Sequence, residues 1–456
     1  MRFKITLILF GIFLVLGAFV LFFESKRKPE KGKEEKLVDL ASADVEKITF
    51  KKESETISFQ KDDKGQWLIT QPMEAKADNS EVSSLADDFS SLKIERVVEE
   101  EPKDLSRYEI PRQEVSLWFK GKEQPLKILI GMENPLDNTF FAKREDEKRV
   151  VLISSTLKSM FEKKLFDFRQ KDIFGFDTEA VKRIKLRAKE AEWEALKKEE
   201  EWFFEKPVKA LATKSKIENV LNTLSNLKAK EFISEAKNDE EIEKYGLEKP
   251  EYEISLSLPL SNQEVIFTLQ KKEDKVYATT SLSSKIVTAE ENVLSELEKK
   301  AAELREKQVA VFYSWQADKL YLKKGELSLT VLKDKDDKWH FETATKEEAD
   351  SSKVETFIRK IESMEGAEFI DPPLNLADYG LDKPQAEVKI RVKEDEKNIK
   401  EVHVFIGAED KEKKQVAVKN ARLDYLFRVD SSILTEFPKE AKDWKKEKQE
   451  EKEKKS

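Results

Sequence analysis

WFFEKPVKALATKSKIENVLNTLSNLKAKEF, residues Trp202 to Phe232, reads as an aromatic strand, a proline turn and a helix with apolar residues at Ile217, Val220, Leu221, Leu224 and Leu227. That spacing is one helical face. The same pattern occurs upstream, where Trp67 and Pro72 precede Val82, Leu85, Ala86, Phe89 and Leu92, and downstream, where Trp339 precedes Val354, Phe357, Ile358, Ile361 and Met364. In all three places the apolar positions keep the same offsets from the Trp, so the chain is a threefold repeat.

Each helix is flanked by alternating apolar and polar runs that predict half-buried strands. Before the first helix these are VEKITF (Val45–Phe50), TISFQ (Thr56–Gln60) and the run from Trp67 to Thr70; Asp78 or Ser80 is placed to cap the helix. After the helices come DLSRYEIP (Asp104–Pro111), IEKYGLEKP (Ile242–Pro250) and LADYGLDKP (Leu376–Pro384). The Gly after Tyr permits a positive φ and the Pro starts an extended run: EVSLWF from Glu114, EISLSL from Glu253 and EVKIRV from Glu387. The first copy, two residues shorter with Glu109 in place of Gly, is expected to turn differently. Further strands follow, such as LKILIG (Leu126–Gly131) and VVLIS (Val150–Ser154), or EVHVFIG (Glu401–Gly407) and YLFRVD (Tyr425–Asp430). The fold class expected is α+β: each repeat is a mainly antiparallel sheet with a packed amphipathic helix.

The repeats join through DFRQKDIFGF (Asp167–Phe176) and ELREKQVAVF (Glu303–Phe312), with DWK (Asp443–Lys445) as a truncated third copy. These phrases are expected either at contacts between repeats or as helix ends whose cations favour the helix dipole. The organisation expected is a transmembrane signal anchor at 1–23, a charged linker at 24–39, repeat units at 40–175, 176–311 and 312–444, and a charged disordered tail at 445–456.

The 456 residues exceed one hydrophobic core, and a prior of about one domain per 150 residues also gives three. Charged residues make up 39% of the chain at a net charge of -8 with both signs interspersed, which argues against a nucleic-acid partner. Cysteine is absent, which removes disulfides and thiolate chemistry. Ile5 to Phe23, ITLILFGIFLVLGAFVLFF, carries no charge and as a helix would span about 28 Å, close to a bilayer core. It reads as an uncleaved membrane anchor, since no Ala-x-Ala-like site precedes Glu24. Arg2 and Lys4 stand before the run and Lys26, Arg27 and Lys28 after it, a count that puts the bulk of the chain in the cytoplasm. The short basic leader and the length of the following domain favour export instead.

The membrane run, the Trp and Pro before an amphipathic helix, and the Tyr-Gly-Leu-x-x-Pro turn together resemble a bacterial domain-of-unknown-function family with one N-terminal membrane helix and tandem α/β units. Its genes lie near gliding-motility-type ABC transporters. The resemblance covers nearly all of residues 40 to 440 and implies no catalytic residues; Ala344 stands where the other copies have Pro72 and Pro207.

No motif assigns a catalytic, cofactor-binding or metal-ligating residue. The two histidines, His340 and His403, fall in separate strands without counterparts in the other repeats and read as ordinary strand residues. None of the 12 glycines builds a phosphate-cradling loop. The 93 acidic residues make carboxylate pairs inevitable and therefore uninformative. Trp67, Trp202 and Trp339 read as core residues rather than a sugar-stacking surface, as do Tyr108, Tyr245 and Tyr379, with hydroxyls expected to bond backbone at the turn. The function expected is that of a non-catalytic, membrane-anchored extracytoplasmic scaffold in the bacterial inner membrane. It would serve as accessory subunit of an ABC-type export system, with an integral membrane protein such as the permease as partner and no cofactor. The alternative is an envelope polysaccharide or peptidoglycan binder with weak hydrolase activity.

Overall fold

The computed structural model describes residues 35–52, 55–259, 264–395 and 397–446. The apolar run Ile5–Phe23, most of the expected linker and all of the expected tail after Lys446 lie outside these residues. Among the described residues no helix is long and apolar enough to cross a membrane. The chain divides into two compact units, Met1–Lys171 and Asp172–Ser456. The first holds one repeat and the second holds two.

Each repeat is built on one antiparallel sheet. In the first unit nine strands lie in the order Ala75–Lys76, Trp67–Gln71, Glu55–Lys61, Val45–Lys52, Gln113–Phe119, Leu126–Glu133, Phe140–Arg144, Val150–Ile153, Arg96–Glu99. The second sheet repeats this order, with Arg183–Arg187 and Tyr252–Ser257 at its centre, and the third does so with eight strands around Ala317–Lys324 and Ala386–Lys393. The chain thus lays down a meander, crosses the sheet by its helix to place one edge strand, and returns to pair beside its first strand. Sheet content exceeds the expectation because edge strands such as Arg96–Glu99 and Glu231–Ser234 are short and half-buried, so they show no clear alternation.

The three helices, Asn79–Ser90, Lys214–Ser225 and Ser351–Glu362, all have 12 residues. Asp78 caps the first by accepting from the backbone amides of Ser80 and Glu81, and Asp350 caps the third in the same way. Every apolar position predicted for the helix faces is buried, and each of the Val, Leu, Ile, Phe and Met side chains among them is worth about 1.5–3 kcal/mol against exposure. In the second unit one continuous cluster of buried residues, running from Val181 to Trp444, spans both repeats.

The residues flanking each helix explain how the repeats are threaded. The residue just after the helix accepts a backbone bond from the incoming chain: Leu37 N to Leu92 O at 2.7 Å, Ile173 N to Leu227 O at 3.0 Å and Val309 N to Met364 O at 2.9 Å. The residue just before the helix donates to the outgoing chain: Asp78 N to Phe168 O, Thr213 N to Leu304 O and Asp350 N to Trp444 O, each at 2.8 Å. Two expectations are corrected by this. Residues 35–39 are not linker, because Leu37 and Val38, 0% and 1% exposed, complete the first core. Lys445 belongs to the third repeat rather than the tail, since it bridges Ala349 as Arg305 bridges Ala212.

The Tyr turns close the opposite face of each sheet. Tyr108 packs on Phe141 at 4.9 Å, and Tyr245 stacks on Tyr277 at 4.6 Å. In the third repeat Leu381 and Ala417 are buried with Tyr379 packed beside them. The Tyr108 hydroxyl donates to Glu99 Oε2 at 2.8 Å, a side chain rather than the expected backbone. Glu109, at φ 52°, takes the left-handed conformation held by Gly246 and Gly380, while the shorter turn differs as expected in its cis Ile110–Pro111 bond. Gly131 and Gly407 lie so near the Tyr108 and Tyr379 carbonyls that an added Cβ would sit 2.1 Å from the oxygen.

Candidate functional site

The recurrent Trp residues are spent on the core. Trp67, Trp202 and Trp339 are 2%, 1% and 1% exposed, and Trp67 Nε1 donates to Ser83 Oγ at 3.2 Å. They supply no stacking surface. The histidines are likewise engaged locally: His340 Nε2 lies 2.7 Å from Asp334 and His403 Nε2 lies 2.8 Å from Glu387. Among the described residues no group of three or more His, Asp or Glu is placed to hold a metal ion.

The second joining phrase sits at the contact between repeats two and three. Arg305, buried, forms a bidentate pair with Asp371, Nη1 to Oδ2 at 2.9 Å and Nη2 to Oδ1 at 2.8 Å. Its guanidinium lies 3.8 Å from the Phe369 ring centre and 4.5 Å from that of Tyr425. The planar cation is thus held edge-on by a carboxylate and against aromatic rings, which a lysine could not reproduce. Burial pushes the Tyr425 hydroxyl up to about 12, with Arg305 pulling the other way. Four residues on, the Val309 carbonyl accepts from Asn420 Nδ2 at 2.8 Å. The joining phrase is therefore pinned to the third sheet at both ends.

Where the pinned phrase leaves the junction it borders a groove of about 560 Å³. Trp202 and Leu211 line it from the second repeat, Val392 and Val402 from the third, Val311 and Phe312 from the end of the joining phrase, and Tyr313 from just beyond it. Among the described residues seven carboxylates and three cations line it. The cations are paired: Arg422 Nη2 reaches Glu201 at 2.6 Å across the groove, Lys400 reaches Glu394 at 2.8 Å, and Lys214 reaches Glu200 at 3.4 Å. Among the described residues Glu199, Glu306, Glu362 and Glu401 have no cationic partner. Tyr313, which lines the groove, stacks on its neighbour Trp315 with ring centres 6.1 Å apart, and the two are 63% and 73% exposed.

Sequence reasoning about motifs missed this groove because its walls come from seven separate stretches, spread from Glu199 to Arg422. One signal was present. The turn before the first strand of each repeat recurs as Ser42–Asp44, Thr178–Ala180 and Ser314–Gln316. Its exposed positions carry Ala41 and Ala43 in the first copy, Asp177 and Glu179 in the second, and Tyr313 and Trp315 in the third.

Among solved structures the chain is similar to DNA polymerase sliding clamps from Pseudomonas aeruginosa. One, crystallised with ligand, has 7% identity over 86% of this chain and 93% of that one at a TM-score of 0.16. The DNA polymerase III subunit beta has 7% identity over 86% and 92% at a TM-score of 0.17. Scores this low carry no argument about fold or function. No curated protein matches the chain. A family profile matches three times, at residues 67–238, 202–374 and 348–454, each of the first two matches running from one repeat into the next. The tandem sheets and these three matches establish that the chain belongs to the domain-of-unknown-function family DUF4340.

Proposed function

We propose that this chain is a non-catalytic scaffold, anchored by a single membrane helix at Ile5–Phe23 in a bacterial inner membrane, with its repeats outside the cytoplasm. Its role is that of an accessory subunit of an ABC-type export system. The observation that carries the reading is the exposed Tyr313–Trp315 pair beside a groove framed by two repeats and pinned by Arg305 and Asn420. Exposed aromatics on a fixed frame suit protein contact, where rigid rings anchor an interface at low entropic cost. The uncharged run supports the anchor, and the transporter rests on the resemblance of sequence pattern. Family membership brings no activity with it.

The test is a mild-detergent pull-down of the full-length protein from its own membranes, beside a chain beginning at Glu35. Recovery of an ABC permease and ATPase, weakened without the anchor, is the expected result. A reporter fused at the C-terminus should read out as extracytoplasmic; a cytoplasmic signal would reverse the orientation. Recovery of envelope glycan fragments with no membrane protein would replace this reading by the second one, a polysaccharide binder. Tyr313 and Trp315 give that second reading its one foothold, because exposed rings also stack on sugars.

A further inference from the structure

We propose that the groove between repeats two and three receives an extended, arginine- or lysine-bearing segment of a partner protein. This deepens the scaffold reading and rests on it.

Comparison of the three repeats carries the inference furthest. The turn before the first strand has the same short helical form in each copy, and its two exposed positions are filled by alanines, by acids, or by Tyr313 and Trp315. A position that accepts Ala41 and Asp177 alike places no demand on the core. The aromatic pair therefore answers to something outside the chain. Exposed large rings lose solvation contacts for no internal gain, so a fold has no reason of its own to place them there.

Charge decides the kind of occupant. Glu199, Glu306, Glu362 and Glu401 line the groove without a cation among the described residues, while each of its cations is already committed to another carboxylate. An anionic segment would meet repulsion there, and a neutral one would leave the negative charge of these carboxylates uncompensated. A guanidinium or ammonium group gains twice. It is attracted by the faces of Tyr313 and Trp315, and it pairs with carboxylates that hold no cation: Glu199 and Glu401, with Glu306 and Glu362 already accepting the Gln308 and Ser314 amides at 2.9 and 3.2 Å. Arg305 on Phe369 and Tyr425 with Asp371 shows the same combination satisfied inside the protein a few residues away.

The experiment uses full-length protein in detergent micelles and three fluorescein-labelled probes: a twelve-residue peptide of alternating Arg and Ser, its Glu-for-Arg counterpart, and a chitin hexasaccharide. Fluorescence anisotropy should show binding of the basic peptide alone, weakening as salt is raised. Tyr313→Ala with Trp315→Ala installs the residues of the first repeat and so leaves folding intact, which an unchanged melting curve checks. It should weaken the peptide about tenfold or more. Glu199→Gln with Glu401→Gln should weaken it severalfold and flatten the salt dependence. Equal binding of acidic and basic peptides, binding indifferent to both double variants, or hexasaccharide binding in place of peptide overturns the proposal. Pull-down of the aromatic double variant separates the two claims: retained transporter components with no peptide binding leave the scaffold standing and remove the groove.

Discussion

Arg305 of the second repeat and Asp371 of the third meet through two hydrogen bonds of 2.9 and 2.8 Å, with the cation 4% and the carboxylate 34% exposed. The asymmetry in burial sets an asymmetry in cost. Asp371→Ala leaves a buried cation without its carboxylate and should destabilise the junction by about 2–3 kcal/mol, whereas Arg305→Met, which removes the charge and keeps most of the volume, should cost less. Hydrogen exchange in peptides covering 365–430 checks the order. Equal costs would mean that the stacking on Phe369 and Tyr425, rather than the ion pair, holds the contact.

Gly407→Ala should destabilise the second unit by about 1–3 kcal/mol or more, because the new methyl must displace the Tyr379 carbonyl or Leu381. Gly131→Ala should do the same to the first unit through Tyr108. In the second repeat Gln270 occupies the corresponding strand position and accepts from Glu251 N at 2.9 Å. Its Nε2 also donates to the Lys271 carbonyl at 2.9 Å, so Gln270→Ala should cost about 1–2 kcal/mol, the price of two partly exposed hydrogen bonds. Denaturant midpoints resolved by domain-specific exchange would show whether the close turn contact is needed.

Tyr425 provides a pH test. Its hydroxyl titrates near 10 when unfolded and at about 12 in the fold, chiefly through burial. Below pH 10 both states keep the proton and the group contributes no pH dependence. Between pH 10 and about 12 the unfolded chain loses its proton first, so the stability of the second unit falls as pH rises. Tyr425→Phe should flatten that decline relative to the parent chain. Parallel declines would show that the ring is hydrated in solution.

Leu37 and Val38 make the first repeat depend on residues that composition assigns to a tether. Leu37→Ala should cost about 2–5 kcal/mol, as for other fully buried leucines. A chain beginning at Leu40 should lose protection of the Leu92 region in hydrogen exchange, whereas one beginning at Glu35 should keep it. Identical protection in the two chains would return 35–39 to the linker.

The helix faces were legible because five apolar residues at helical spacing leave few alternatives, and three copies at one offset from a Trp remove the rest. The Tyr turns were legible as turns, yet Glu109 conceals a left-handed residue that only the backbone reveals. The edge strands escaped because two to four residues hold too few periods to show alternation. Linker and core were confused at Leu37 and Val38, where two apolar residues follow a charged run whose composition dominates any window. Arg305 could be marked as recurrent, but its partner stands 66 residues away, and no local pattern links the two. The groove is harder still, since Glu199, Tyr313 and Glu401 share nothing in sequence.

The outgoing bonds that seal each repeat have a consequence for synthesis. Asp78, Thr213 and Asp350 donate to Phe168, Leu304 and Trp444, each partner lying some ninety residues later in the chain. At the usual elongation rate a ribosome needs roughly 5–20 s to deliver that partner. For that interval the margin of the newest sheet stands open to any other strand, and a transcript cut short before Trp444 would release a molecule whose third repeat never closes.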